Sequence, residues 1–344
     1  MKKVIVAPLN WGLGHASRCV PIIKALQKEQ FIPIIASDGK ALEFLQKEFP
    51  QLDSIELPSY QISYGKHLKW NLFKKIPAIL KAAQKERNII HQYLEKNEDV
   101  VGIISDNRFG VRSTKVSSVY ITHQINVLSG IFTPLTSYFH QRIIKKFDEC
   151  WIPDEKESMF SGRLSRSQKK LNQKYIGVLS RFQKKEVEKK NNVLILLSGP
   201  EPNRTQLENK LQNIFSRTSQ KVLLVQGRVE AKQKTTQNGN VTTVNYMLSE
   251  ELEKAINSSE MVICRSGYSS IMDLVSLHKK AVLIPTKNQN EQEYLAKYLH
   301  DIEYFSVVLE DKISIEKLEK IKELKTDFEV KRLDENLFRL FQSK

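Results

Sequence analysis

The sequence predicts an α/β protein with a doubly wound, mostly parallel sheet in each half. Three observations predict it. Short β-branched runs alternate with longer segments of helical period. The same alternation restarts after a charged stretch near the middle of the chain. The length, 344 residues, suits two domains of ordinary size.

The first strand is expected at residues 4–8, a continuous apolar run of the kind buried on both faces of a parallel sheet. Similar runs predict strands at 32–36, 101–105, 118–122 and 150–153. Val20, Ile22, Ile23 and Leu26 recur at helical spacing, as do Ala78, Ile79 and Leu80 onward to Tyr93 and Leu94. Residues 161–174 are basic and polar and read as a surface loop or a solvated helix. Residues 183–192 are charged and without apolar period, a plausible linker. The second half then predicts strands at 193–197, 222–225, 241–244, 261–264 and 281–285. The expected domains are 1–182 and 183–344, the last helix being free to pack back on the first domain.

Lys and Arg number 54 against 39 Asp and Glu, a formal charge of +15. Such a balance suggests an anionic partner: nucleic acid, an anionic lipid surface or phosphates. The basic residues are dispersed and no nucleic-acid motif accompanies them, which argues against the first. No apolar run approaches the roughly 20 residues that cross a bilayer, and the start lacks the pattern of a signal peptide. Cys19, Cys150 and Cys264 lie too far apart for a CxxC metal cluster or a disulfide framework. A reduced, cytoplasmic setting is expected.

In doubly wound sheets ligands bind where strands end, so the residues after each strand weigh most. After the first strand comes Asn10-Trp11-Gly12-Leu13-Gly14-His15-Ala16-Ser17-Arg18. Gly12 and Gly14 permit a tight turn, and Ser17 is a candidate N-cap with Pro21 near the helix start. The loop partly mimics a dinucleotide fingerprint, with Asp38 near the place of the ribose acid, a weak signal for NAD. His15 either holds the loop by a hydrogen bond or takes a proton from a substrate hydroxyl; spacing alone leaves both open. Ser198-Gly199 opens a second polar turn ahead of a helix, either an ordinary βα turn or a phosphate site. The third place, Arg265-Ser266-Gly267-Tyr268-Ser269, offers a cation and a helix mouth suited to a diphosphate. Asp273 lies one turn beyond Ser269, within reach of ribose hydroxyls. The polar stretch through Gln292 and Glu293 has the chemistry to read sugar hydroxyls.

At these residues the chain resembles glycosyltransferases of family 28, which include the MurG-type enzymes of peptidoglycan synthesis. It bears a closer likeness to a MurG-like branch with N-terminal G-L-G-H-[AT]-x-R. The resemblance implies a GT-B fold, two Rossmann-like domains facing across a cleft, with the acceptor on the N-terminal domain and the nucleotide sugar on the C-terminal one. It places Arg265, Ser266 and Gly267 at the nucleotide, Asp273 at the ribose, Gln292 and Glu293 at the sugar, and Met247 beside the base. Ser198 and Gly199 correspond loosely to a glycine-rich loop, and Arg181 to a residue reaching the diphosphate. His123-Gln124-Ile125-Asn126 resembles a cleft element, and Asp106 follows a strand near it. The implied reaction is inverting transfer from a nucleotide sugar, UDP-linked by resemblance, to an acceptor hydroxyl. His15 is the expected base, with Asp106 or His123 in reserve.

No Asp-x-Asp motif is present to hold a divalent metal, so no cofactor is expected. Residues 68–81 combine apolar i, i+4 spacing with Lys and Trp, a candidate for docking on anionic membrane from the cytoplasmic side. The readings weighed against transfer are a nucleotide-sugar epimerase of the same fold and an NAD-dependent oxidoreductase.

Overall fold

The computed structural model describes residues 1–60, 68–166, 171–320, 330, 333 and 335–342, with backbone only at 68–76 and 335. Apolar β-branched runs pair side by side in two separate sheets, and the chain divides accordingly into unit 1, Met1–Leu179 with Lys331–Lys344, and unit 2, Ser180–Val330. The division falls three residues before the sequence boundary at 182.

Unit 1 carries β1 (Lys3–Pro8), β2 (Ile32–Ser37), β3 (Ser54–Glu56), β4 (Val100–Asp106), β5 (Ser117–Ile121), β6 (Glu149–Ile152) and β7 (Gln173–Tyr175). They form one sheet in the order β3-β2-β1-β4-β5-β6-β7, every pair parallel. Its helices are α1 (Leu13–Lys28), α2 (Gly39–Glu48), α3 (Leu68–Lys96) and α4 (Thr133–Ile144). Ile5, Ala7, Ile34, Ala36 and Ile103 pack with Ile90 and Leu94 of α3, so the sheet is covered on that face. The strand order turns about β1, leaving a switch point between β1 and β4, where Pro8 pairs with Asp106.

α1 starts earlier than Ser17. Gly12 is its N-cap with φ +78°, Ser17 donates back to Gly14 O at 3.1 Å, and Pro21 lies inside the helix. Proline's missing N–H there removes only one backbone bond, from a helix whose Ala16, Val20, Ile23 and Leu26 are all buried. Residues 161–166 are not a solvated loop either. Ser161, Leu164 and Ser165 are buried around Asp154, which accepts from Ser161 N at 2.8 Å and Phe160 N at 3.1 Å.

The last described residues complete unit 1. A short 3₁₀ segment, Glu335–Phe341, buries Leu337, Phe338 and Phe341. Phe341 packs so closely over Gly102 that a Cβ there would lie 2.2 Å from the ring. Trp151 meets Phe338 and Phe341 at 6.1 and 6.2 Å between ring centres.

Unit 2 carries β8 (Asn191–Leu196), β9 (Val222–Val225), β10 (Thr235–Asn238), β11 (Val241–Val244), β12 (Ser259–Cys264), β13 (Ala281–Leu283) and β14 (Ser306–Val307). The order is β10-β11-β9-β8-β12-β13-β14, parallel except for the β10–β11 hairpin. Its helices are α5 (Asn203–Phe215), α6 (Ser249–Asn257), α7 (Tyr268–Ser276), α8 (Asn290–Asp301) and α9 (Ile315–Glu319). The switch point lies between β8 and β12. Residues 183–190 are laced to α6, Gln183 N donating to Glu253 at 2.9 Å and Lys185 N to Asn257 at 3.1 Å.

Candidate active site

Both switch points gather the residues that the sequence singled out. In unit 1, His15 stands in the first turn of α1 and Asp106 ends β4. Their side chains meet, His15 Nδ1 lying 2.8 Å from Asp106 Oδ1. Arg18 Nη2 stands equally close to Nδ1, at 2.8 Å, so a carboxylate and a guanidinium both face that nitrogen. Asp106 is fully buried and also takes Arg18 Nε at 2.8 Å, a second bond from Arg18 Nη2, and Asn107 Nδ2 at 3.2 Å. Burial alone would push its carboxyl up, but Arg18 and His15 together outweigh burial and hold it well below the usual carboxylate range. His123, just beyond β5, is buried with Nδ1 3.0 Å from Arg18 Nη1.

This geometry revises two expectations. Asp106 is a poor base, since its charge is spent on a guanidinium and an imidazole. His123 turns Nδ1 to a cation that can only donate. Of the three candidates, His15 keeps the most exposure, 16% of its side chain, while Asp106 and His123 are buried. Arg18 is the member that sequence reading passed over: one helical turn from His15, it looks like an ordinary helix arginine.

A second buried network steadies the same edge. Arg108 donates to Pro8 O at 2.9 Å and to Glu86 at 2.6 Å, and pairs with Asp38. Asn10 donates to Asp38 at 3.0 Å, and Tyr60 to Glu86 at 2.7 Å. Asp38 is therefore occupied by Arg108 and Asn10 rather than presented to a ribose, which overturns the NAD reading of that residue. An open recess of about 650 Å³ adjoins it, lined by Asn10, Asp38, Glu56, Ser59 and Lys85 among others.

In unit 2 the loops after β8 and β12 flank the switch point. Gly199 has φ +100°, a conformation that favours glycine, and a Cβ at Gly199 or Gly267 would meet nothing within 4 Å. Open space therefore lies over both turns. Ser198 precedes Gly199, and Gly267 is the N-cap of α7, with Ser269 half-buried in its first turn.

Arg265 does not present its charge to that space. It is 1% exposed, and its guanidinium donates to Glu310 at 2.6 Å, Asn203 O at 3.1 Å and Pro285 O at 3.3 Å. A buried cation needs such partners, and here they tie the end of β12 to the start of α5. Ser266 likewise donates to Gln292 O at 2.8 Å. Gln292 Oε1 accepts from Thr286 N at 2.9 Å and Glu293 Oε1 from Asn288 N at 2.8 Å, so these oxygens hold the 286–289 turn.

Asp273 is buried and accepts from Ser180 Oγ at 2.7 Å. Burial raises its carboxyl to about 6, partly offset by the Arg181 guanidinium and the Ser180 hydroxyl. Arg181 Nη1 reaches Ser249 Oγ at 3.2 Å in the first turn of α6, next to half-buried Met247. Ser180 and Arg181 thus tie the start of unit 2 to α7 and to the first turn of α6.

The family profile described as Glycosyltransferase family 28 C-terminal domain matches residues 159–333, just over half of the chain. The chain belongs to glycosyltransferase family 28. It is a glycosyltransferase, and the family description names transfer rather than epimerisation. Similar relatives include the Histophilus somni (strain 129Pt) UDP-N-acetylglucosamine–N-acetylmuramyl-(pentapeptide) pyrophosphoryl-undecaprenol N-acetylglucosamine transferase. It is 22% identical over 335 residues, covering 92% of this chain and 87% of that protein. The enzyme of the same name from Pasteurella multocida (strain Pm70) is 22% identical over 327 residues, with the same coverage of 92% and 87%. Among solved structures, Acinetobacter baumannii MurG aligns with TM-score 0.54 at 16% identity over 92% of this chain and 89% of its own. The kitacinnamycin glycosyltransferase aligns with TM-score 0.62 at 12% identity over 92% and 88%. These likenesses give this family 28 member a GT-B fold.

Proposed function

We propose that this family 28 enzyme transfers a sugar, with inversion, from a UDP-sugar bound on unit 2 to an acceptor hydroxyl bound on unit 1. The observation that carries the reading is the His15–Asp106 contact of 2.8 Å at the unit 1 switch point. His15 Nε2 takes the acceptor proton as the hydroxyl oxygen attacks the anomeric carbon and UDP leaves. Asp106 orients the ring and stabilises the imidazolium that forms. The negative charge growing on the leaving diphosphate faces the α7 N-terminus, where first-turn N–H groups and the helix dipole favour an anion. Asp273 and Arg181 bind the nucleoside end, and Arg265 acts by holding the turns that shape the site.

The relatives' names supply the substrates to test first: UDP-N-acetylglucosamine as donor and a pyrophosphoryl-polyprenol as acceptor. One surface favours a lipid-linked acceptor. Ile131, Phe132, Leu135, Tyr138 and Phe139 are all exposed on α4 and the turn before it. Arg142, Lys145 and Lys146 are exposed beside them. Apolar side chains next to cations suit an anionic bilayer. The 68–81 segment expected to dock falls largely on residues whose side chains lie outside the described set, and of its remainder Leu80 is exposed.

The deciding experiment is calorimetric titration with UDP-, GDP- and TDP-sugars, followed by turnover of wild type and His15→Ala. The expected result is selective binding of a UDP-sugar by both proteins, with kcat lowered roughly 10²–10⁴-fold in the variant. Loss of donor binding in His15→Ala would make the histidine structural instead.

A further inference from the structure

The turns after β1, β2 and β3 enclose the open recess of about 650 Å³ at the carboxyl edge of the unit 1 sheet. Ligand pockets typically measure roughly 300–1,000 Å³, so its size suits a small molecule. Asn10 lines it from the turn after β1, Asp38 from the turn after β2, and Glu56 and Ser59 from the end of β3 onward. Lys85 and Ile89, one helical turn apart on α3, line it as well. The strand order β2-β1-β4, at about 4.8 Å per strand, puts the middle of the recess roughly 10 Å from the end of β4, where Asp106 meets His15.

Two walls of the recess are fixed from beneath by buried charge. Arg108 and Glu86 are both 0% exposed; Arg108 donates to Glu86 at 2.6 Å and to Pro8 O at 2.9 Å, and pairs with Asp38. Apolar residues of the same volume would serve stability as well or better. What these ions supply is placement. Asp38 accepts from Asn10 Nδ2 at 3.0 Å, and Ala41 N donates to Asn10 Oδ1 at 3.3 Å, so the amide is turned one way and Nδ2 keeps a second hydrogen. Gly39 permits the close approach: a Cβ there would lie 2.5 Å from Asn10 Nδ2.

We propose that the recess is a subsite for a neutral sugar unit of the acceptor, adjoining the unit whose hydroxyl reacts at His15. The inference rests on the reading of unit 1 as the acceptor side. The lining carries two carboxylates, Asp38 and Glu56, against one ammonium, Lys85, so it has no surplus of positive charge for a phosphate or an acidic sugar. Sugar hydroxyls both donate and accept. Glu56 accepts, Lys85 and the Asn10 amide donate, and Ser59 does both. Glu56, Ser59 and Lys85 are exposed, so a solute can reach their polar ends. Leu57, Pro58 and Ile89 offer apolar surface to the C–H face of a sugar ring. An acceptor seated this way carries at least two sugars, one in the recess and one at His15.

The test is saturation-transfer NMR on the full-length protein with UDP in excess. The probes are glucose, galactose, mannose and N-acetylglucosamine, with glucuronic acid as the charged control. At least one neutral sugar should receive saturation, and glucuronic acid should not. Glu56→Ala combined with Lys85→Ala removes two exposed partners and should weaken that sugar about tenfold or more, with melting temperature and UDP affinity unchanged. Ser59→Trp fills the recess and should abolish the transfer; if it does not fold, the double variant decides. No transfer to any neutral sugar, equal transfer to glucuronic acid, or wild-type binding by either folded variant would overturn the proposal. His15→Ala should bind the sugar as the wild type does, so its turnover tests the base alone. The expected sugar pattern without any binding of UDP-sugars would refute the donor reading and leave the recess assignment standing.

Discussion

Asp273→Asn separates binding from stability at the proposed nucleoside site. The wild-type carboxyl is raised from 3.8 to about 6 by burial, against the opposing pull of Arg181 and Ser180. Such a group favours folding fully below its unfolded value, and that contribution is lost as pH rises through about 6. The interval of about two pH units, at 1.36 kcal/mol each, makes the ionised carboxylate cost about 3 kcal/mol above neutrality. Asparagine imitates the neutral acid and can still accept from Ser180. At pH 8 the variant should be the more stable, by up to about 3 kcal/mol, and below pH 4 the two proteins should melt together. Thermal unfolding between pH 4 and 8 reads this directly, and titration with UDP at pH 8 should show weaker binding by the variant. A stability difference that stays constant with pH, or is larger in acid, would refute the reasoning.

The remaining predictions concern three other contacts. Arg265→Met should destabilise unit 2 by about 2–4 kcal/mol, because Glu310 and three carbonyls lose their donor, while UDP affinity changes less than about threefold. A large loss of affinity at unchanged stability would restore Arg265 as a direct diphosphate ligand. Phe341→Ala removes a fully buried ring and should cost about 3–5 kcal/mol in urea unfolding of unit 1; an effect below about 1 kcal/mol would count against that packing. Replacing exposed Ile131 and Phe139 together by Ser should reduce flotation with anionic vesicles about tenfold or more, since each apolar side chain contributes about 1.5–3 kcal/mol when buried. Equal flotation of both proteins would move the membrane contact elsewhere.

The central strands were legible because parallel strands buried on both faces leave long apolar runs. β3, β7, β10 and β14 left none. They span two to four residues at or near the sheet edges, and β10, Thr-Thr-Gln-Asn, is exposed throughout. Edge strands take their pairing from the neighbour rather than from their own pattern. His15 and Asp106 were legible as separate strand-end residues, since the doubly wound order brings such ends together. Arg18 was hidden by its ordinary helical setting. The partner of Arg265 was hidden by separation: Glu310 lies 45 positions away, and no local signal reveals that the cation is already taken. Polar residues at strand ends thus mark the place of chemistry, but not which of them hold the scaffold.

The aromatic plug at Phe338 and Phe341 bears on the order in which the chain is made. These side chains leave the ribosome only after all of unit 2, yet they seal the sheet of unit 1 over Gly102. During synthesis the first sheet must wait, its Trp151 flank unsealed, while the second can already close. Tags or truncations at the far C-terminus should therefore harm the half that begins the chain.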